Sequence, residues 1–395
     1  MIVGLVSSLY APHAHGGAER VAQDLAEALV ACGHQVHVLT LGKPGGAGRA
    51  QINGVRVTYC RLRNLYWPFP VSQAGFAMKA AWHAIDAHNP AMAREAGEWL
   101  DEIRPDLLHT HNLAGFSAAV WPAAARRGIR LLHTLHDYYL LCPYSTMYRN
   151  EENCARPCLR CRVASAPRRA LTRHVAGVVG VSRFVLQRHL EQGLFAGART
   201  AVVYNGYSAP ASAMQAARAA PRLRIGFLGT LVPAKGLDRL VDAFLGLPPG
   251  AAELHIAGAG DADYEALLRD RSAQRSDVHW HGVVRAEEFL PGLDLLVVPS
   301  LYHEPMGRVV IEAFAHGLPV IAASRGGIPE LFHGECGWLY DPDDRGRLPA
   351  ILREVLARRE VPESMRMAAR AAAQRASHEA MIAGYLAMYE ATAAR

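Results

Sequence analysis

"RLRIGFLGTLVPAKGLDRLVDAFLGL", residues 222–247, decides the fold. Leu223 to Leu228 form an apolar run of strand length. A loop bracketed by Gly229 and Gly236 follows, and then Leu237, Leu240, Val241 and Phe244 recur at helical spacing. The same order of strand, glycine loop and helix opens the chain. "MIVGLVSS" runs into "LYAPHAHGGAE" and then into a helical stretch whose Val21, Leu25, Leu29 and Cys32 make one stripe, with Gly33 as its stop.

Each copy begins a series of short apolar runs separated by amphipathic stretches. The first series continues with "HQVHVLTL", "DLLHTH", "IRLLHTL", "GVVGVS" and "TAVVYNG". The second continues with "AELHIAG", "VHWHGVV", "DLLVVPS", "LPVIAAS" and "GWLY". Alternating β and α units build a parallel sheet wrapped by helices, so two series predict two Rossmann-like α/β domains, facing each other across a cleft. The expected boundaries are an N-terminal domain over 1–207 and a C-terminal domain over 208–375. A last helix over 376–395, carrying Met381, Tyr385 and Met388, is expected to pack back on the first domain. The Ala-, Pro- and Ser-rich stretch 208–222 is read as the linker.

With 395 residues the chain is too long for one ordinary core, and 51% apolar with 20% charged residues describes a globular protein. No apolar run approaches the ~20 residues needed to cross a bilayer. "MIVGLVSSLYAPH" lacks a basic leader and reads as a buried first strand, which predicts a cytoplasmic protein. Residues 1–205 carry a net charge of +9 and residues 206–395 one of −3. The basic half suits anionic lipid or a phosphate-bearing substrate, hence an expectation of peripheral contact with the inner face of a membrane. No nucleic-acid-binding motif accompanies it. "CRLRNLYWPFPVSQAGFAMKAAWHAIDAHN" (60–89), with Tyr66, Trp67, Phe69 and Phe76 among basic residues, is a second candidate for acceptor or membrane contact, or a loop packed on the first domain.

"HEPMGRVVIEA" (303–313) carries the chemistry. It follows the apolar strand "LDLLVVPS", so Glu304 lies before a helix starting near Gly307, and Glu312 lies in that helix's second turn. The amides of Met306, Gly307, Arg308 and Val309 fall between the two carboxylates. A helix N-terminus attracts anions, and carboxylates flanking it accept bonds from hydroxyls. A nucleotide sugar has that layout, with ribose on one side of a diphosphate and hexose on the other. Taken alone, the pair could be a capping residue and an acid favoured by the helix dipole. The glycine loops around it, in "GLPVIAASRGGIPEL" and "GTLVPAKG", favour the ligand, and Lys235 at a strand-to-helix turn is placed for a diphosphate.

"GTLVPAKG", "PSLYHEPMGRVVIEAFAHGLPVIA" and "GGIPEL", together with "HGGAERVAQDLAEALVACGHQVHVLT" and "HTLHDYYLLCP", resemble the retaining glycosyltransferases of family 4, which have the GT-B fold. The resemblance spans most of the chain. It implies transfer of a hexose from a UDP- or GDP-sugar to a hydroxyl acceptor, a polysaccharide or lipid-linked glycan intermediate, with no metal in the chemistry. Glu304 would hold the donor hexose near the reacting face, and His136 would contact the transferred sugar. Glu312 would hold the ribose hydroxyls, the backbone of Met306 to Val309 would cradle sugar and phosphate, and Lys235 would neutralise the leaving diphosphate. Gly16 and Gly17 would let the N-terminal loop approach diphosphate and acceptor. One departure stands out: Thr230 occupies a position where many members carry Arg, so a phosphate clamp is missing or comes from Arg308 or Arg325. Alternatives are a sugar-nucleotide epimerase of the same fold, a retaining hydrolase using paired carboxylates about 5 Å apart, and a non-catalytic sugar-nucleotide-binding subunit.

Four of the seven cysteines, Cys142, Cys154, Cys158 and Cys161, fall within 20 residues. In a cytoplasmic chain such spacing suits a structural zinc site, or less well an iron–sulfur cluster, pinning the loop after "TLHD".

Overall fold

A computed structural model describes residues 1–13, 16–69, 74–209, 222–358 and 360–393. The stretch 208–222 read as a linker lies outside the described residues except at its ends. The chain divides into two compact units. The first comprises Met1–Met147, Cys154–Tyr204 and Met381–Arg395; the second comprises Tyr148–Asn153 and Asn205–Ala380.

In chain order, the first part of the molecule holds β1 (Ile2–Val6), α1 (Gly17–Ala31), β2 (Gln35–Gly42), β3 (Gly48–Ile52), β4 (Val55–Arg61), α2 (Phe76–Ala87), α3 (Pro90–Ile103), β5 (Leu107–Thr110), α4 (Val120–Ala125) and β6 (Arg130–Leu135). There follow β7 (Tyr148–Arg149), β8 (Glu152–Asn153), α5 (Leu159–Leu171), β9 (Gly177–Gly180), α6 (Arg183–Leu190) and β10 (Arg199–Val202). The eight-stranded sheet of the first unit has the order β10-β9-β6-β5-β1-β2-β4-β3. Every pairing in it is parallel except β3 with β4. Strands β5 and β9 are buried at every position, as expected where helices cover both faces of a parallel sheet.

The rest comprises β11 (Leu223–Leu228), α7 (Leu237–Leu245), β12 (Ala252–Ala257), α8 (Ala262–Ser272), β13 (Val278–Gly282), α9 (Ala286–Phe289), β14 (Leu295–Val298), α10 (Arg308–Ala315), β15 (Val320–Ala323), β16 (Gly337–Tyr340), α11 (Arg347–Arg358), α12 (Glu363–Gln374) and α13 (His378–Ala393). Six parallel strands form the second sheet, in the order β13-β12-β11-β14-β15-β16. Leu237, Leu240, Val241 and Phe244 of α7 are buried on Ile225, Phe227, Leu254 and Ile256, so the stripe read from 222–247 is the core-facing one. Burying each such side chain stabilises the unit by about 1.5–3 kcal/mol.

The expected α/β class and pair of parallel-sheet domains are present. One local expectation fails: Cys32 is exposed at the C-cap of α1, beyond the buried stripe of Val21, Leu25 and Leu29. Met381, Tyr385, Met388 and Tyr389 of α13 are buried in the first unit's core, with Leu107, Leu132 and Val179. In the 60–89 stretch, Trp82 is buried and its indole N–H donates to the Tyr66 carbonyl at 3.1 Å, whereas Leu65, Phe76 and Met78 are exposed.

In an open α/β sheet a ligand-binding crevice forms where the strand order reverses, beyond the strands' carboxyl ends. In the second sheet that point lies between β11 and β14, the strands that precede the Lys235 loop and the Glu304 loop.

Candidate functional site

The loops after β11 and β14 are stapled together. The amides of Leu301 and Tyr302 both point at the Ala234 carbonyl, at 2.9 and 3.4 Å. This brings Lys235 to Glu304: Nζ lies 2.6 Å from Oε1. Ser300 Oγ donates to the same oxygen at 2.7 Å, and the Tyr302 hydroxyl donates to Oε2 at 2.8 Å. Glu304 is 6% exposed. Burial alone would push its carboxyl up, but the Lys235 ammonium and the bonds from Lys235, Ser300 and Tyr302 outweigh it and hold the carboxyl below the usual glutamate range. The result is a fixed, charged carboxylate at the switch point, with a cation beside it.

The helix after Glu304 starts at Arg308, capped by Gly307. Gly307 has a φ of 91°, and a Cβ there would come within 2.8 Å of Ile328 Cγ1. Left-handed backbone at this residue turns the chain from the Glu304 loop into α10 and brings the helix N-terminus to the strand ends. Glu312 sits in the second turn of α10, where Arg308 Nε bonds its Oε1 at 2.8 Å. Met306 is buried, and its sulfur accepts from the Asn205 amide at 3.1 Å.

The Glu304 backbone is gripped from the next loop. The Gly327 amide donates to the Glu304 carbonyl at 2.8 Å. Gly326, at φ 61°, packs so closely that a Cβ would lie 2.0 Å from that carbonyl oxygen. On another side Asn153, at the end of β8, acts as a strand would. Its amide donates to the Leu301 carbonyl at 2.8 Å, and its Oδ1 accepts from the His303 N–H at 2.7 Å.

Sequence reasoning missed Ser300, Tyr302, Asn153 and Gly326. For the first two the signal existed: Ser300, Tyr302 and Glu304 alternate, and alternate residues of an extended segment share a side. Asn153 gave none, being some 150 positions away from its partners.

Thr230 is exposed after β11. Of the cations considered in its place, Arg308 is held by Glu312, and Arg325 pairs with Asp343 at 2.5 Å and Asp341 at 3.5 Å.

In the first unit, Gly16 is the N-cap of α1 and Gly17 its first residue. His136 follows β6. It is partly buried, stacks on His111 and shares a 2.9 Å hydrogen bond with it through Nε2. Desolvation lowers its imidazole to about 3, so it is neutral at physiological pH. The His111 ring lies in turn 4.1 Å from that of His109, tilted by 39°, and His109 bonds Tyr389 and Thr134.

The cysteine expectation is corrected. Cys161 touches Cys142, with sulfurs 3.7 Å apart, and Cys158 is the N-cap of α5. Among the described residues, no three of the four sulfurs converge closely enough to share one ion, so neither a zinc site nor an iron–sulfur cluster is supported. Cys161 lies on α5 and Cys158 caps it, whereas Cys154 precedes the helix and is hydrogen-bonded through its amide to Met147. Desolvation and the neighbouring Cys142 and Cys158 push the Cys161 thiol up.

Comparison with known proteins supplies the wider context. Residues 16–206 match the family model described as "Glycosyl transferase 4-like domain", and residues 222–358 match "Glycosyl transferases group 1". An uncharacterised 42.6 kDa protein in the cps region of Klebsiella pneumoniae is 32% identical over 331 residues, covering 84% of this chain and 87% of its own. Among solved structures, sucrose-phosphate synthase from Thermosynechococcus elongatus superposes with a TM-score of 0.79 at 20% identity, covering 99% of this chain and 98% of that one. HepE from Anabaena, solved in complex with UDP-glucose, gives a TM-score of 0.70 at 20% identity, covering 99% of this chain and all of that one. At these identities the structures speak for the GT-B fold alone.

Proposed function

This chain belongs to glycosyltransferase family 4, whose members are retaining transferases using nucleotide-sugar donors, and on that premise we propose that it moves a hexose from a UDP-sugar to a hydroxyl of a growing surface polysaccharide or lipid-linked glycan. The observation that carries this reading is the Lys235–Glu304 pair at the reversal of strand order in the second sheet, beside the N-terminus of α10. The relative in a cps region supports the polysaccharide acceptor, and HepE in complex with UDP-glucose supports the base, with GDP as the competing choice.

In this proposal the diphosphate lies against the first-turn amides of α10 and Lys235. Both offer positive charge that needs no reorganisation as the leaving group gains negative charge. Such an arrangement does what a divalent ion does in other transferases, in keeping with a family that is metal-independent in general. Glu304, pinned by Ser300 and Tyr302, accepts bonds from hexose hydroxyls and holds the anomeric carbon for attack from the face of the departing phosphate. Glu312 takes the ribose hydroxyls, which competes with its bond to Arg308 and frees that guanidinium for phosphate. Gly16, Gly17 and His136, at the carboxyl end of the first sheet, are assigned to the acceptor and the transferred sugar, with neutral His136 able to donate a hydrogen bond. Exposed Leu65, Phe76 and Met78, in the basic N-terminal half, are assigned to contact with a lipid surface. No helix among the described residues is long and apolar enough to cross a membrane.

A thermal-shift screen of nucleotide sugars tests the donor assignment, since a ligand that binds only the folded state raises the melting temperature. UDP-hexoses are expected to raise it and free hexoses to leave it unchanged. A protein stabilised by no nucleotide sugar would overturn the proposal.

A further inference from the structure

Away from the donor loops, the edge of the second sheet carries an unusual group of side chains. On β12, Glu253 and His255 lie two residues apart and so point to the same side of the sheet, opposite the buried Leu254 and Ile256. Strand β13 pairs with β12 in parallel, with His279 directly beside His255. His281, two residues on, extends the row. The imidazoles of His255 and His279 are 4.9 Å apart between centroids, and those of His255 and His281 are 5.2 Å apart.

The ligand atoms converge. One carboxylate oxygen of Glu253 and one ring nitrogen each of His255 and His279 all lie within 4.8 Å of one another. Three protein ligands about 2.0–2.2 Å from a tetrahedral zinc ion stand roughly 3.3–3.5 Å apart, which side-chain rotations reach from here without moving the strands. His255 is already oriented for it. Its Nδ1 shares a 3.0 Å hydrogen bond with Nε2 of His281, and in the tautomer with the proton on Nδ1 the Nε2 lone pair is left for a metal. That Nε2 is buried, has no hydrogen-bond partner among the described residues, and stands 3.4 Å from Oε2 of Glu253. A ligating histidine is usually held by a hydrogen-bond partner on its other ring nitrogen. Arg224, in register with Glu253 on β11, is taken by Asp294 at 3.3 Å.

We propose that Glu253, His255 and His279 form a divalent-metal site of the zinc class, with His281 as the positioning residue for His255 and a fourth position open to water. Three ligands drawn from two adjacent strands would clip the edge strand β13 onto the sheet. The site takes no part in the transfer chemistry and stands independently of the donor assignment.

The test titrates Zn²⁺ into metal-free full-length protein against a chromophoric chelator, and compares it with the His255→Ala/His279→Ala double variant and with Glu253→Gln. Wild type is expected to bind one equivalent more than the double variant and to melt higher when loaded. Glu253→Gln is expected to weaken that equivalent by at least about tenfold. Exposed thiols such as those of Cys32 and Cys158 bind added zinc adventitiously, so diethyl pyrocarbonate labelling read by mass spectrometry identifies the site in the wild type, where zinc should protect His255 and His279. That readout also decides the matter if the double variant does not fold. Equal stoichiometry and affinity in a folded double variant, or unchanged labelling of His255 and His279 with zinc present, would overturn the proposal.

Discussion

Two buried ion pairs, one in each unit, have the same ingredients and opposite characters. In the second unit Lys235 meets Glu304 at the carboxyl end of the sheet, with the lysine side chain a quarter exposed. In the first unit Arg168 of α5 meets Asp86 of α2 at 2.8 Å, and both are wholly buried. Asp86 also accepts from the Gly115 amide and the Tyr139 hydroxyl, while Arg168 bonds the Tyr139 carbonyl and lies 3.9 Å from the centre of its ring. Burial outweighs Arg168 and the hydrogen bonds at Asp86, so its carboxyl is pushed up, whereas at Glu304 the partners outweigh burial and the carboxyl is held down. The closed pair ties α2, α5 and the Tyr139 segment together. The open pair keeps a charge available at a surface where a ligand can reach it.

The largest expected effect breaks the closed pair. Arg168→Leu leaves Asp86 buried without its cation, a loss of about 3–5 kcal/mol in chemical denaturation. Well below the variant's melting temperature, transfer should continue at the wild-type rate. Lost transfer in a protein of wild-type stability would give this pair a role beyond structure. Next, Glu304→Gln keeps the shape of the open pair and removes its charge. Transfer should fall about 10²–10³-fold, the scale of losing one preorganised electrostatic contact, while the fold is kept. A rate near wild type would remove Glu304 from the site.

Lys235→Met sharpens the difference through pH. In the wild type the depressed Glu304 carboxyl contributes stability above its ordinary 4.5, and that contribution is lost as pH falls through the lower folded value. Asp86 has the opposite sign: its raised carboxyl is a cost above its ordinary 3.8 that acid relieves. Without Lys235, burial acts on Glu304 with its main opponent gone, so its carboxyl should move up and its pH dependence should come to resemble that of Asp86. Melting curves across roughly pH 3–6 read this directly, against a background Glu304→Gln variant. The smallest effect comes from Gly326→Ala, which forces left-handed backbone on an L residue against the Glu304 carbonyl. It should cost about 1–3 kcal/mol and weaken donor binding by displacing that loop.

The sequence made some of these features legible and hid others for physical reasons. Strands covered on both faces are buried throughout, so β5, β9, β14 and β15 stood out as short buried runs, while β12 showed by its alternation. Glu304 and Lys235 were visible because each sits in a glycine-marked loop directly after such a strand. The hairpin of β3 and β4 escaped notice although Asn53-Gly54 marks its turn, because its solvent-facing first strand, Gly48–Ile52, has little apolar pattern. Asp86 and Arg168 lie 82 positions apart on separate helices, where no local spacing could join them. The cysteines misled because sequence proximity put four thiols in one loop, while the fold placed Cys161 on α5, Cys158 at its N-cap and Cys154 ahead of it.

Amide hydrogen exchange of the intact protein, with and without a saturating nucleotide sugar, tests the donor site most directly. The donor-site reading predicts that protection on binding concentrates in residues 229–236 and 300–312, the loops that carry Lys235, Glu304 and the start of α10. Saturable binding that leaves both segments unprotected would contradict it.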